Sequence, residues 1–472
     1  MDILLISPVT NTHYTVPPIG LGYLASALKK DGFSVSILDC VKEHIKLSNF
    51  GEYVSKLDFK VVGFQVFSCD LAAVIESIKI IKQNDPEKII IIGGAHPTCV
   101  GKEVFSEING LDFAFQGEGE IGLPLLLKKV LKKENIYFNK IPGLMWKENN
   151  DIRVNERVFT EELDSLEFPA WDIIRPDAYP QNPQGAFFKN FPIAPIVTSR
   201  GCPFPCTFCA SNLLMGKKLR LRSIDNVIRE MKLLYESFCI REFHIVDDNF
   251  TYYPQRAKDF CKKIKESGMK FSLSFPNGVR LDTLDEELLK LLHSIGTYAF
   301  TVGIESGSQK VLDAMKKHLS LETIEEKINL INKSGIEPSG FFIIGFPCET
   351  KEDIKETIRF SRRLNLKRAH FSNFLPLPGT YETNKLLKDG KIDRIDWSKL
   401  FYSKVAYCPE GITRNELKRL QMKAFLGFYL RPKILIKMLS EIKSFYHLKT
   451  ILKRAKDYLF NFHTAKVWKR KA

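Results

Sequence analysis

The sequence predicts an α/β protein: an N-terminal Rossmann-like parallel sheet, then a partial (βα)6 barrel of TIM type, then a C-terminal helical extension. Three observations carry this. Over residues 1–135, short apolar runs rich in β-branched and aromatic residues alternate with helical patterns, as in a doubly wound parallel sheet. The alternation breaks over 136–190 and resumes as six strand–helix units over 191–400, enough for a barrel or an open part of one. Residues 401–472 read as helices only.

In order, ILLIS, VSILD, VVGFQVF, IIIIGG and DFAFQ are the strands of the first domain, with GLGYLASALKK and AVIESIKIIKQ among its helices. GLMWKENNDIRVNERV reads as a hairpin around Asn149-Asn150-Asp151, and FPAWDIIRPDAYPQNPQG as a Pro-rich linker. The barrel strands are APIVTS, EFHIVD, FSLSFPNG, YAFTVGIE, SGFFIIG and HFSNFLPL, separated by patterns such as NVIREMKLLYES and ETIEEKINLINKSG.

Of the 472 residues, 44% are hydrophobic and 26% charged, an ordinary globular balance. No apolar run follows a basic start, and none approaches the roughly 18 residues of a spanning helix. The expectation is a cytoplasmic protein whose ten cysteines are reduced. Clustered cysteines then point to metal or catalysis. The net charge of +15 is concentrated at the end: residues 412–472 hold 16 Lys+Arg against 3 Asp+Glu.

The stretch TSRGCPFPCTFCA places Cys202, Cys206 and Cys209 in C-x3-C-x2-C spacing. Gly201, Pro203 and Pro205 keep it from being helical. Three thiolates suit a four-iron cluster that keeps one iron free of protein ligands. Zinc would want a fourth ligand, and no Cys or His follows within about 20 residues. At the end of a first barrel strand, this motif resembles that of the radical S-adenosylmethionine (SAM) superfamily, including the aromatic Phe208 before the last cysteine. The resemblance implies a [4Fe-4S] cluster whose open iron is chelated by SAM, and a 5′-deoxyadenosyl radical that abstracts hydrogen from substrate. It also implies SAM contacts at the carboxyl ends of the strands: Asp247 and Asp248 after the second, Arg280 after the third, Glu305 ending the fourth, and Gly345 after the fifth. Each carboxylate taken alone also reads as a helix N-cap. Cys348 stands where relatives commonly have Gly, and Cys239, Cys261 and Cys408 read as small buried hydrophobes.

The first domain lacks the G-x-G-x-x-G phosphate fingerprint. Its PPIGLGYLASALKKDGFSVSILD, GGAHPT and GEGE resemble the cobalamin (B12)-binding domain that precedes the barrel in a large class of radical SAM enzymes. The resemblance implies that backbone at Ser68, Gly93, Gly94, Thr98, Gly117 and Gly119 lines the cofactor. The chain has no Asp-x-His-x-x-Gly loop, so cobalt is expected to have no protein imidazole, and His96 is assigned to packing. A rival resemblance is to methylthiotransferases, which hold a second cluster on three N-terminal cysteines; Cys40, Cys69 and Cys99 all follow strands here. That family's first cysteine follows strand one, where this chain has Ser7-Pro8-Val9.

The expected function is a cobalamin-dependent radical SAM enzyme that methylates an unactivated carbon of a small-molecule or lipid-like substrate. A cyclase or other C–C bond-forming enzyme of the same architecture is the alternative, and a cobalamin- or cluster-based sensor the non-enzyme reading. A reductant such as flavodoxin or ferredoxin is the implied protein partner. In the basic tail, helical spacing aligns Leu435, Met438, Ile442 and Phe445 apart from Lys437 and Lys443. Such a stripe either packs on the barrel or makes peripheral contact with the inner face of the membrane. Nucleic acid is disfavoured, because stacking platforms normally sit on sheets or OB folds.

Overall fold

The computed structural model describes residues 1–10, 16–180, 188–401, 404–442, 445, 448–449 and 451–452. The first sheet contains β1 (Ile3–Ser7), β2 (Val35–Asp39), β3 (Val61–Gln65), β4 (Ile89–Gly93) and β5 (Phe113–Phe115), which are parallel, in the order β2-β1-β3-β4-β5. Helices α1 (Ile19–Lys30), α2 (Leu47–Ser55), α3 (Leu71–Asn84), α4 (Ala95–Val100), α5 (Val104–Glu107) and α6 (Gly122–Leu131) connect the strands. Two separate apolar cores form. Leu21, Ala25, Leu28, Leu123 and Leu127 cover one face with α1 and α6, and Phe50, Val74, Ile78 and Ile81 cover the other with α2 and α3. Burial of both faces explains why the strands are continuous apolar runs.

The hairpin around Asn149-Asn150-Asp151 is β6 (Leu144–Glu148) and β7 (Asp151–Val154). It pairs antiparallel with β5 and brings the first sheet to seven strands. Asn149 and Asn150 both take φ above zero (50° and 70°), which a two-residue turn between twisted strands requires. After α7 (Trp171–Ile174), β8 (Ile193–Ile196) begins the barrel.

A two-stranded ribbon, β9 (Ser199–Arg200) and β10 (Arg220–Leu221), brackets the cysteine loop and the short α8 (Ser211–Met215). Then come α9 (Ile224–Ser237), β11 (Glu242–Ile245), α10 (Pro254–Ser267), β12 (Ser272–Val279), α11 (Glu286–Ser294) and β13 (Thr297–Glu305). They are followed by α12 (Gln309–Ala314), α13 (Leu321–Lys333), β14 (Glu337–Ile344), α14 (Lys351–Arg363), β15 (Arg368–Asn373) and α15 (Tyr381–Lys388). The six strands run β15-β14-β13-β12-β11-β8, all parallel, and β15 and β8 are its open edges. Phe243, Phe275, Phe300, Phe342 and Phe371 are buried on these strands in one core, each contributing roughly 1.5–3 kcal/mol.

The tail begins with α16 (Arg414–Tyr429), started by a Thr413–Glu416 capping box. Its Leu417, Gln421, Ala424 and Phe428 are buried. Gln421 Nε2 donates to the Phe371 carbonyl at 2.8 Å, and Tyr429 Oη donates to the Ala369 carbonyl at 3.0 Å. The helix therefore satisfies backbone groups of edge strand β15. Next, α17 (Pro432–Ser440) divides the expected stripe. Ile434 is buried and Met438 packs on the barrel core, whereas Leu435, Ile436 and Leu439 face outward. The stripe is split because Lys437 pairs with Glu337 at 3.2 Å and Glu441 pairs with Lys367 and Arg368, which fixes the helix's rotation. Phe445 is exposed, and Lys443 lies outside the described residues. No helix among the described residues is long and apolar enough to cross a membrane.

Candidate active site

The cysteine loop leaves β9 at Gly201, whose φ is +100°. A Cβ there would lie 2.2 Å from the Lys218 carbonyl oxygen, so only glycine fits. The loop is tied down by Cys202 N–H to the Gly216 carbonyl (3.2 Å), Thr207 N–H to the Met315 carbonyl (3.1 Å) and Cys209 N–H to the Cys206 carbonyl (3.2 Å). Burial pushes the Cys202 thiol up to about 11, and the charges of Asp248, Cys209 and Cys206 add to the rise. Cys202 and Cys206 thus both respond to charge at Cys209. Cys40, Cys69 and Cys99 show no such link: apart from burial, Cys40 responds to Asp39, Cys69 to Asp70 and Lys404, and Cys99 to Arg157. Among the described residues no three His, Cys, Asp or Glu side chains close on a single ion. Phe208 packs beside Val311, Met315, Phe346 and Phe374.

The two adjacent carboxylates expected to bind SAM have different situations. Asp247 is buried and accepts hydrogen bonds from Thr198 N–H, Thr198 Oγ1 and Ser199 Oγ, each at 2.6 Å. Its oxygens are spent on the β8–β9 corner, and its role is to hold that corner. Asp248 reaches solvent at the barrel mouth, although surrounding protein desolvates its carboxyl and raises its pKa. It accepts from Ser211 Oγ at 3.2 Å, while Ser211 N–H points at Cys209 Sγ at 3.5 Å. Ser211 thus joins the last cysteine to Asp248.

Arg280 lies with its guanidinium 3.7 Å from the centre of the Phe204 ring, between Cys202 and Cys206 in sequence. Glu305 ends β13 with φ +67°, a left-handed conformation that a non-glycine residue keeps only when its surroundings enforce it. Its Oε1 accepts from Lys317 Nζ at 2.8 Å. Lys317 lies in the run MKKHLS, which carries no mark of this partner in the sequence. At Gly345, whose φ is +82°, a Cβ would meet Leu417 of α16 at 2.8 Å, so the missing side chain makes room for the tail helix. The turn it begins is tied by Glu349, whose Oε2 accepts Gly345 N–H (2.6 Å) and Phe346 N–H (2.9 Å).

At the carboxyl end of the first sheet, Thr98 Oγ1 donates to the Gly94 carbonyl (2.6 Å) and accepts Gly117 N–H (2.9 Å), joining the loops after β4 and β5. Gly94 (φ +105°) lies so close to Val66 that a Cβ would be 3.1 Å from its backbone. A Cβ at Gly93 would make an ordinary contact with Phe115 Cβ at 4.0 Å, whereas at Gly119 it would lie 3.1 Å from Leu24. Ser68 Oγ bonds His96 Nδ1 at 2.9 Å, and His96 Nε2 bonds Glu107 Oε2 at 2.9 Å. His96 is fully buried, edge-on to Trp397 at 5.1 Å, and Trp397 Nε1 donates to Glu107 Oε1 at 3.0 Å. Both imidazole nitrogens are occupied, so His96 is a packing residue.

One further group brings the halves together, from the GEGE motif. Arg200 and Arg220 stand directly opposite each other in the β9–β10 ribbon, where like charges repel. Glu118 lies between them, 3.2 Å from Arg200 and 2.8 Å from Arg220, and Glu120 adds a second contact to Arg200 at 2.8 Å. These four side chains are at most 9% exposed, so the Gly117–Glu120 loop is clamped to the strands that carry the cysteine loop.

Residues 196–361 match the Radical SAM superfamily, and residues 7–127 match the B12-binding domain. An uncharacterized methyltransferase of Pyrococcus horikoshii is 31% identical, over 96% of this chain and 97% of its own. The chain belongs to the B12-binding radical SAM family. Cytidylyl-2-hydroxyethylphosphonate methyltransferase of Streptomyces wedmorensis is 29% identical to this family member, over 83% of this chain and 82% of its own. This chain's fold is shared with the cobalamin-dependent SAM radical enzyme OxsB, at a TM-score of 0.74 and 17% identity, over 97% of this chain and 71% of that one. The family's cofactors are a [4Fe-4S] cluster, SAM and cobalamin, and the residues present fit them: three partly exposed cysteines on a loop that only glycine can enter, and glycines at the end of the first sheet, Gly94 among them with a backbone approach that leaves little room for a side chain.

Proposed function

We propose that this radical SAM enzyme is a cobalamin-dependent methyltransferase acting on an unactivated carbon of a small-molecule or lipid-like substrate. The observation that carries the reading is the Glu118–Arg200–Arg220 clamp, which sets the glycine loop of the B12-binding half beside the cysteine loop. When bound, the cluster with SAM supplies a hydrogen-abstracting radical and cobalamin supplies a methyl group. In this reading Cys202, Cys206 and Cys209 are the cluster ligands, and the Ser211 N–H directed at Cys209 sulfur tunes the cluster. Asp248, rather than the fully engaged Asp247, takes the SAM amino group. Arg280 and Glu305 face the rest of SAM, while Phe208 and Gly345 shape its surroundings from behind. Ser68, Gly93, Gly94, Thr98, Gly117 and Gly119 form the loops against cobalamin, with no imidazole from His96. A small one-electron protein such as flavodoxin or ferredoxin reduces the cluster.

Anaerobic reconstitution of the full chain with iron, sulfide, hydroxocobalamin, SAM and reductant tests the reading. Deoxyadenosine together with S-adenosylhomocysteine is the expected outcome. Deoxyadenosine alone moves the chain to cyclisation or another radical reaction, and neither product makes it a sensor. Contact with an anionic bilayer belongs to the same proposal, supported by outward Leu435, Ile436 and Leu439 beside Lys433. Equal co-sedimentation with neutral and anionic vesicles removes that part.

A further inference from the structure

The turn after α12 is tied to the cysteine loop through its backbone. Lys316 and His318 both have left-handed backbone (φ 52° and 53°), a conformation uncommon outside glycine. Between them, the Lys317 carbonyl accepts Arg280 Nη2 at 3.0 Å, and the His318 carbonyl accepts the same nitrogen at 3.3 Å. Two residues earlier, the Met315 carbonyl accepts Thr207 N–H, next to Cys206. The Lys317 side chain is 14% exposed. Gly303 makes space for its pairing with Glu305: a Cβ there would lie 2.7 Å from Lys317 Nζ and 2.4 Å from Glu305 Oε1. Lys317 Nζ donates to Glu305 Oε1 at 2.8 Å, so the two side chains form an ion pair.

We propose that Lys317 is a positioning residue of the cluster site, a fixed ammonium on the Cys206 side that favours the reduced cluster, with Glu305 as its offsetting charge. The inference rests on Cys202, Cys206 and Cys209 holding the cluster. Reduction adds one negative charge, so a nearby cation assists it and a nearby anion opposes it. The pair is neutral together. Lys317→Met leaves an anion, and Glu305→Gln leaves a cation. The two variants must therefore move the midpoint potential in opposite directions.

The test is a redox titration of the reconstituted full chain, followed by electron paramagnetic resonance. Lys317→Met is expected to move the midpoint negative, and Glu305→Gln positive. Each shift is on the order of a tenfold change in the one-electron equilibrium, about 59 mV. The double variant returns toward the unmodified value, and Lys317→Arg stays near it. Shifts of the same sign, or none in variants that hold as much iron as the unmodified chain, overturn the proposal. If Lys317→Met takes up less iron, Glu305→Gln decides alone: a positive shift supports the inference and an unchanged potential ends it. Failure of the unmodified chain to hold iron is a different result, and removes the cluster assignment itself.

Discussion

Replacing Glu118 by alanine should loosen the contact between the two halves. The substitution leaves Arg220, only 2% exposed, without its 2.8 Å partner and takes one of two partners from Arg200. It also removes the acceptor of Thr160 N–H, which lies 2.8 Å from Glu118 Oε2. Removing one member of a buried pair costs about 3–5 kcal/mol, because the remaining charge stays desolvated. At about 1.4 kcal/mol per tenfold, that is roughly two to four orders of magnitude in the opening equilibrium. Unfolding of a chain with two cores need not be two-state, so the assay is amide hydrogen exchange. The Thr160 and Cys202 amides should lose protection by that factor, while β3 and β4 amides in the centre of the first sheet keep theirs. Glu52→Ala, which removes an exposed pair with Lys56, is the control and should change nothing measurable. Equal, small effects of the two substitutions would refute the clamp.

Alanine at Cys202, Cys206 or Cys209 should each abolish the four-iron cluster, measured as iron per chain; a triple variant that keeps four iron would transfer the cluster to Cys40, Cys69 and Cys99. The cob(II)alamin form should show no nitrogen superhyperfine splitting, and His96→Ala should leave its spectrum unchanged while costing about 1–3 kcal/mol of stability for the partners it strands. Burial lifts the Glu349 carboxyl to about 8 from an ordinary 4.5. The folded chain then keeps a proton that the unfolded chain has released. The stability this gives is full below about 4.5 and lost as pH rises through about 8. Glu349→Gln should flatten that decline, read by denaturant midpoints at pH 5 and pH 9.

Much of this molecule is legible because its strands are buried on both faces and so appear as uninterrupted apolar runs, from ILLIS at β1 to SGFFIIG at β14. The cysteine loop is legible because its spacing and its Gly and Pro residues leave few other uses. Lys317 was not legible: in MKKHLS it reads as part of a solvated basic run, and only left-handed backbone on both sides turns it inward. Asp247 and Asp248 are chemically identical in sequence; three short donors from Thr198 and Ser199 separate them. Glu118 and Glu120 carry no mark of their partners, which arrive from about 80 to 100 residues away as the chain is numbered. The tail pattern failed in part because periodicity gives a helix an apolar side without giving its rotation, which Glu441, Lys437 and their partners set.

The chain is made from its N-terminus, and domains generally fold as they emerge. For this barrel that order leaves an interval. When β15 has paired with β14, its outer carbonyls at Ala369 and Phe371 still await Tyr429 and Gln421, some fifty to sixty residues further along the chain. During synthesis the newest strand therefore presents an unprotected margin to any other extended segment. A ribosome stalled after residue 400 would hold a barrel complete in strands and open to mispairing. The synthesis of α16, which adds a helix and not a strand, is what makes the sheet safe to release.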